Sequence, residues 1–200
     1  MKELLNKELI FLRKNIKRFI FLFAIISIVN GFIFLKEKLG ILDLMYILSI
    51  TSSSFIISIL FDSIMIEKES KSFEKIMQIN SLKEIINSKA IISCIIATLV
   101  SFLFASILIL IRGYNISDLY IMLLVPFLNL IFSKIFCLLL VLTEQMIVIQ
   151  IMTIGFVLGD VIIFTSIKSF VLFIAISLIS ISMFYLSDIF INKIEVEKVI

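Results

Sequence analysis

Long apolar runs separated by short polar segments make up most of the chain. A membrane-spanning helix needs about 20 predominantly apolar residues, and six runs have the required length. They are Phe19–Leu35, Ile41–Ile66, Ala90–Ile111, Leu119–Leu142, Met146–Phe164 and Phe170–Ile191. The pattern predicts an all-α membrane protein with six transmembrane helices in a single domain, residues 1–200. Lys134 marks an alternative break between the fourth and fifth spans.

The first 18 residues are amphipathic. Leu5, Leu9, Leu12 and Ile16 recur at helical spacing, and Lys, Arg and Glu occupy most of the remaining positions. Such a helix lies in the membrane surface with its apolar stripe in the headgroup region. It serves either as an anchor that sets topology or as a frame for a docking surface.

A second charged segment, residues 67–89, follows the second span and is longer than a simple connection needs. It predicts two short helices separated near Asn80. Ser81 and Glu84 have the spacing of a capping box at the start of the second helix. The first helix has an apolar face formed by Phe73, Ile76 and Met77. A helical pair with one apolar edge suits the groove of a partner protein.

Lysine and arginine positions predict the orientation. Of the 18 such residues, thirteen lie in the N-terminal segment, in residues 67–89 or in the tail, four lie in the opposite loops, and Lys134 is unassigned. Positive charge concentrates on the cytoplasmic side. Both termini and residues 67–89 are therefore expected in the cytoplasm, and the protein in the cytoplasmic membrane.

Composition supports the membrane class and narrows the chemistry. Hydrophobic residues make up 62% of the chain and charged residues 16%, with a mean hydropathy of +1.24, whereas soluble domains are about 45–50% apolar and about 25% charged. The chain has no histidine, which removes His-based metal sites and Ser-His or Cys-His pairs. Cys94 and Cys137 lie in apolar runs without a metal-binding pattern. We expect no catalytic residue, no metal site and no nucleic-acid partner.

Residues 67–89 resemble the cytoplasmic loop of ABC-2 type transporter permeases, which runs roughly E-x-E-x-G-T-L-E-x-L-L-x-x-P and ends in E-I-x-x-G-K. This chain has Glu67 and Glu69, then Lys71-Ser72-Phe73-Glu74 in place of Gly-Thr-Leu-Glu, and Ile76-Met77 at the paired aliphatic positions. Glu84-Ile85 and Ser88-Lys89 match the end of the pattern. The departures are Lys71 and Ser88 for glycine, and Asn80 for proline.

The resemblance implies a permease subunit of an exporter, working as a dimer with a second permease copy in the lipid membrane. Haem-exporter membrane subunits have a similar loop. ATP and Mg²⁺ would bind a separate ABC ATPase subunit, because the chain lacks a Gly-x-x-x-x-Gly-Lys-Ser/Thr motif. The expected contacts with that ATPase are Glu67, Glu69, Phe73, Glu74, Ile76, Met77 and Glu84. The apolar bundle suits a hydrophobic, lipid-like or peptide cargo.

Polar residues inside the spans are further candidates, because ionisable groups are costly there. Asp62 and Lys134 could pair with each other, or Lys134 could extend to the headgroups. Asp160 could line a polar path or pair with a neighbour. Gly155 and Gly159 form a GxxxG pattern that allows close helix packing, within the chain or across a dimer.

A function of another class remains open on the sequence alone. A non-transporting immunity or scaffold protein that binds a peptide or a membrane partner would have the same composition and topology. Such a protein would have no ATPase partner, so association with an ATPase distinguishes the two interpretations.

Overall fold

The computed structural model describes residues 2–34, 41–112, 122–143, 151, 154–155, 158–159, 162 and 170–193. Those residues are almost entirely helical, and none of them lies in a strand. Helices with defined bounds in the described ranges are α1 (Lys2–Lys14), α2 (Ile16–Phe34), α3 (Ile41–Glu69), α4 (Ser72–Ile79), α5 (Leu82–Arg112), α6 (Val125–Leu142) and α7 (Phe170–Ile191).

Within the described residues, four helical segments are long and apolar enough to cross a membrane. They are Ile47–Glu69, Leu82–Ile107, Met122–Leu142 and Ile174–Ile191. They overlap the predicted second, third, fourth and sixth spans. The first predicted span falls on α2, which is helical from Ile16 to Phe34. Most of the fifth, Met146–Phe164, lies outside the described residues.

The helices α3, α5 and α6 pack against one another and form the core, while α7 packs on α6 and α1 packs on α5. Apolar side chains that are almost wholly buried fill the space between the three core helices. Among them are Leu48, Ile56, Leu60, Ala97 and Phe136. Side chains buried in this way are close-packed, as is typical of protein interiors.

Two regions differ from the sequence prediction. The N-terminal amphipathic helix, predicted over residues 1–18, ends at Lys14, and α2 begins at Ile16. The second region is the charged segment that follows α3. Residues 67–89 were expected to form two short helices, and only the first of them, α4, is a separate helix. Residues 82–89 are the first two turns of α5, which continues without interruption to Arg112. The physical reason is that no glycine or proline stands between Leu82 and Arg112 to end the helix. The helix that contains the third predicted span therefore begins at Leu82, not at Ala90.

Candidate functional site

The short helix α4 lies between the C-terminus of α3 and the N-terminus of α5. A sharp turn at Lys71 ends α3, with φ at 53° and ψ at 16° in the left-handed region. Ser70 donates its hydroxyl to the Ile66 carbonyl at 2.7 Å, and the backbone N–H of Lys71 donates to the Lys68 carbonyl at 3.0 Å. These bonds satisfy carbonyl groups that would otherwise be unpaired at a helix C-terminus.

The start of α5 has the predicted capping box. The backbone N–H of Glu84 donates to the Ser81 hydroxyl, and the backbone N–H of Ser81 donates to the Glu84 carboxylate, both at 3.3 Å. The two residues thereby satisfy each other's backbone donors at the helix start. The prediction of a capping box is confirmed, and it gives Glu84 a role within the chain.

The apolar face of α4 packs against the protein's own core. Phe73 is 2% exposed and belongs to the core cluster, while Ile76 and Met77 are half-buried and pack against it. The three side chains were expected to fill a groove on a partner. Phe73 packs inward between the helices of this chain, while Ile76 and Met77 pack against the core and keep part of their surface exposed.

The opposite face of α4 remains open. Lys75 and Gln78 are exposed and Glu74 is half-buried, and Glu69, the last residue of α3, is exposed beside this face. Ile79, the last residue of the helix, is 83% exposed. The structure thus divides the predicted contact residues into an inner set, which holds α4, and an outer set, which a partner can reach.

Beside α4, a group of charged side chains joins three helices, and we call it the α1 cluster: Lys7 and Glu8 of α1, Ser63 and Glu67 of α3, and Lys89 of α5. The Lys89 ammonium lies 2.7 Å from Glu8 Oε1 and 3.0 Å from Glu67 Oε1. Lys89 also donates to the Ser63 hydroxyl, which donates to Glu8 Oε2 at 2.9 Å. Lys7 pairs with Glu67.

Three charged side chains of the α1 cluster are almost wholly buried. The side chains of Lys89, Glu8 and Glu67 are 1%, 5% and 9% exposed. Two lysines balance two glutamates, as an apolar environment requires of buried charges. Glu67 Oε2 is buried and has no partner among the described residues. Glu67 was predicted to contact an ATPase, but its other oxygen is already bound to Lys7 and Lys89, so its observed role is to join α3 to α1 and α5.

A second group lies on the other side of α5, and we call it the α7 cluster: Lys83 and Asn87 of α5, Lys134 of α6 and Asp188 of α7. Asp188 pairs with Lys134 and, at 2.9 Å, with Lys83. Lys134 also donates to the Phe184 carbonyl at 2.7 Å, and its ammonium lies 3.7 Å from the centre of the Phe184 ring. A carbonyl and an aromatic face both stabilise a cation.

The suggested pair between Asp62 and Lys134 does not form. Asp62 lies 3.7 Å from the Arg18 guanidinium, and Lys134 pairs with Asp188. The positions of the two residues along their predicted spans place both toward the same end, but they do not determine which helix faces meet. Asp188 is the partner that the sequence analysis missed, although an acidic residue within the sixth apolar run was the available signal.

The remaining predicted positions are only partly described. Asp160 lies outside the described residues. A Cβ built on Gly155 or Gly159 would have no heavy atom within 4 Å. Neither glycine is therefore in a close helix contact within the described part of the chain, and a contact across a dimer stays a prediction. No group of three Cys, Asp or Glu side chains in the described ranges is placed to hold a metal ion.

Comparison with known proteins gives no relative from which a function can be transferred. No family model, curated protein or solved structure matches this chain. The arguments about function therefore depend on the residues and their geometry.

Proposed function

We propose that this chain is a membrane-spanning permease subunit of an ATP-driven exporter, coupled through α4 to a separate ABC ATPase. In this proposal two permease copies work together, and ATP and Mg²⁺ bind the ATPase. The cargo is hydrophobic, lipid-like or a peptide, and it passes along or between the apolar bundles. The ATPase side defines the cytoplasmic face of the membrane.

The observation that carries the proposal is the attachment of α4 to both of its neighbouring membrane helices. Phe73 anchors it in the core, a tight turn joins it to α3, and the capping box stabilises its junction with α5. A force applied to the outer face of α4 is therefore transmitted to α3 and α5, and through the two ionic clusters to α1, α6 and α7. Protein interiors transmit such displacements because they are close-packed.

The residues that resemble the permease loop also have structural roles that explain the pattern. Lys71 stands where the family has glycine, and it has a positive φ, a conformation that glycine adopts most easily. Glu67 and Lys89, the first and last residues of the pattern, form an ion pair 3.0 Å long. That pair holds the two ends of the loop together, so the loop moves with the helices.

The proposal changes the expected contacts with the ATPase. Glu69, Glu74 and Ile79 lie on the accessible side and would meet the partner, with the carboxylates opposite basic groups. Phe73, Ile76 and Met77 would transmit the motion without touching the ATPase. Glu67 would maintain the connection between the helices.

A co-purification experiment with two variants separates docking from coupling. The chain is expressed with its native neighbouring genes, purified in mild detergent and analysed for a subunit carrying a nucleotide-binding motif. Ile79→Asp places a charge on the outer face, and we expect the ATPase to be lost. Phe73→Leu loosens the inner anchor but leaves the outer face intact. We expect the ATPase to remain bound while its activity no longer responds to the permease.

Two results would contradict the proposal. Wild-type protein that purifies without any nucleotide-binding subunit, or with only a peptide or membrane partner, would favour the immunity or scaffold function. An ATPase that binds Ile79→Asp as tightly as the wild type would show that α4 is not the docking element. Gln78→Ser, at the neighbouring exposed position, is the matched control and is expected to bind normally.

A further inference from the structure

An apolar groove runs between α1 and α5 beside the α1 cluster. Its volume is about 230 Å³. Six aliphatic side chains line it: Leu5, Leu9, Ile91, Ile92, Ile95 and Ile96. The groove is open at one side, since Leu9 is 54% exposed and Ile95 is 52% exposed. No polar group lines it, so it can hold only an apolar occupant.

The groove continues into an exposed apolar stripe along α5. Ile95, Leu99 and Leu103 follow one another at intervals of four residues, and each is about half-exposed or more. Residues four apart lie on one face of a helix. Their helix is long and apolar enough to cross a membrane. A long, unbranched apolar chain entering at α1 can therefore remain on a continuous apolar surface along α5.

The α1 side of the groove is basic. Arg13 follows Leu9 by four residues, as Leu9 follows Leu5, so all three lie on one face of α1. Arg13, Lys14 and Lys17 are exposed at this end. The acidic Glu8 is turned inward to Lys89.

We propose that this groove binds one acyl chain of an anionic phospholipid, with the phosphate of the headgroup beside Arg13 and Lys14. The apolar lining and the stripe on α5 accept the chain, and the exposed cations select for negative charge. Each Lys or Arg near an anionic membrane surface contributes about 1 kcal/mol of attraction, which corresponds to a roughly fivefold preference for each cation that engages the headgroup. The proposal is independent of the transport function, because it depends on α1 and α5 alone.

The absence of tryptophan from the chain makes a direct test possible. Ile95→Trp places one fluorophore on the groove wall, and Ile179→Trp places one at an exposed isoleucine of α7 as the matched control. Each full-length variant is reconstituted into vesicles of equal parts phosphatidylcholine and phosphatidylglycerol, with bromine on the acyl chains of one lipid at a time. Brominated chains quench tryptophan fluorescence only in contact.

We expect brominated phosphatidylglycerol to quench the Ile95→Trp protein at least roughly fivefold more strongly than brominated phosphatidylcholine, the preference that one engaged cation gives, and the two lipids to quench Ile179→Trp equally. Adding Arg13→Gln and Lys14→Gln to Ile95→Trp should bring its ratio toward one. Leu9→Trp, on the opposite wall, serves the same purpose if Ile95→Trp fails to fold.

Two outcomes would overturn the proposal. Equal quenching by both lipids in the groove would mean ordinary exposure to the bilayer without selection. A lack of quenching by either lipid would mean that protein, from this chain or a second copy, covers the groove.

Discussion

The two ionic clusters on either side of α5 balance buried charge in different ways. In the α1 cluster a fully enclosed lysine, Lys89, lies between two carboxylates that are themselves almost wholly buried. In the α7 cluster Lys134 is equally enclosed, but its acid, Asp188, is 14% exposed and is shared with a second lysine. A carbonyl and the ring of Phe184 supply the rest of the stabilisation there.

The difference shows how the exposure of the acids determines what else a buried lysine needs. Lys89 is paired with two almost wholly buried acids, whereas Lys134 is paired with an acid that keeps some contact with solvent and is stabilised in addition by a carbonyl and an aromatic ring. The α1 cluster should therefore tolerate less change than the α7 cluster. The same geometry makes the α1 cluster the tighter link between α5 and its neighbours.

Among these predictions, removal of Lys89 is expected to lower the free energy of unfolding the most. Lys89→Met leaves Glu8 and Glu67 buried without their shared cation, and breaking a buried pair costs about 3–5 kcal/mol. The measurement is the free energy of unfolding in mixed detergent micelles. Lys75→Met, at an exposed position of α4, is the control. A loss no larger than that of the control would mean that the cluster does not hold α1 to the bundle.

A double variant refines this result. Glu8→Gln removes one of the stranded charges, so Lys89→Met combined with Glu8→Gln should lose less than the sum of the two single changes. Additive losses would indicate that Glu8 and Lys89 are not coupled.

Removal of Lys134 is expected to have a smaller effect. In Lys134→Met, Asp188 keeps Lys83 as a partner and retains some exposure, so the loss should be about 2 kcal/mol, the range of a charged hydrogen bond. The same unfolding measurement applies, with Lys75→Met again as the control. A loss equal to that of Lys89→Met would mean that the exposure of Asp188 does not make the α7 cluster more tolerant of change than the α1 cluster.

Much of the local structure was accessible from the sequence, because it depends on neighbouring residues. The apolar runs predicted six spans, and four of them overlap described helices of membrane-spanning length. The spacing of Ser81 and Glu84 predicted the start of α5, and Phe73 was correctly placed on the apolar face of α4. In each case residues within one or two helical turns determine the outcome.

The pairings of the charges were not accessible in this way. Glu8 and Lys89 are 81 residues apart, and Lys134 and Asp188 are 54 apart. Periodicity shows which residues share a helix face but not which face meets which helix. For the same reason the sequence does not show that Phe73 of α4 packs into the protein's own core.

The uncharged members of the clusters provide a finer comparison. Ser63 bridges Lys89 and Glu8, with one bond of 2.9 Å, whereas Asn87 donates to Asp188 at the limiting distance of 3.5 Å and leaves its own carbonyl oxygen unpaired among the described residues. Ser63→Ala should lose about 1 kcal/mol, and Asn87→Leu, which preserves shape, should be nearly neutral in the same assay. If Asn87→Leu lost more unfolding free energy than Ser63→Ala, the stronger polar contact would lie in the α7 cluster.

The outermost lysines should have the smallest effects. Lys7 and Lys83 are 39% and 40% exposed, and each pairs with a carboxylate that keeps a second, enclosed lysine. Solvent screens such pairs, and exposed ion pairs contribute about 0–1 kcal/mol. Lys7→Met and Lys83→Met should therefore lose similar, small amounts of unfolding free energy, and the loss should shrink in high salt. If Lys7→Met alone caused a large loss that salt did not change, the carboxylate of Glu67 would depend on Lys7 rather than on Lys89, and the charge balance within the α1 cluster would have to be reassigned.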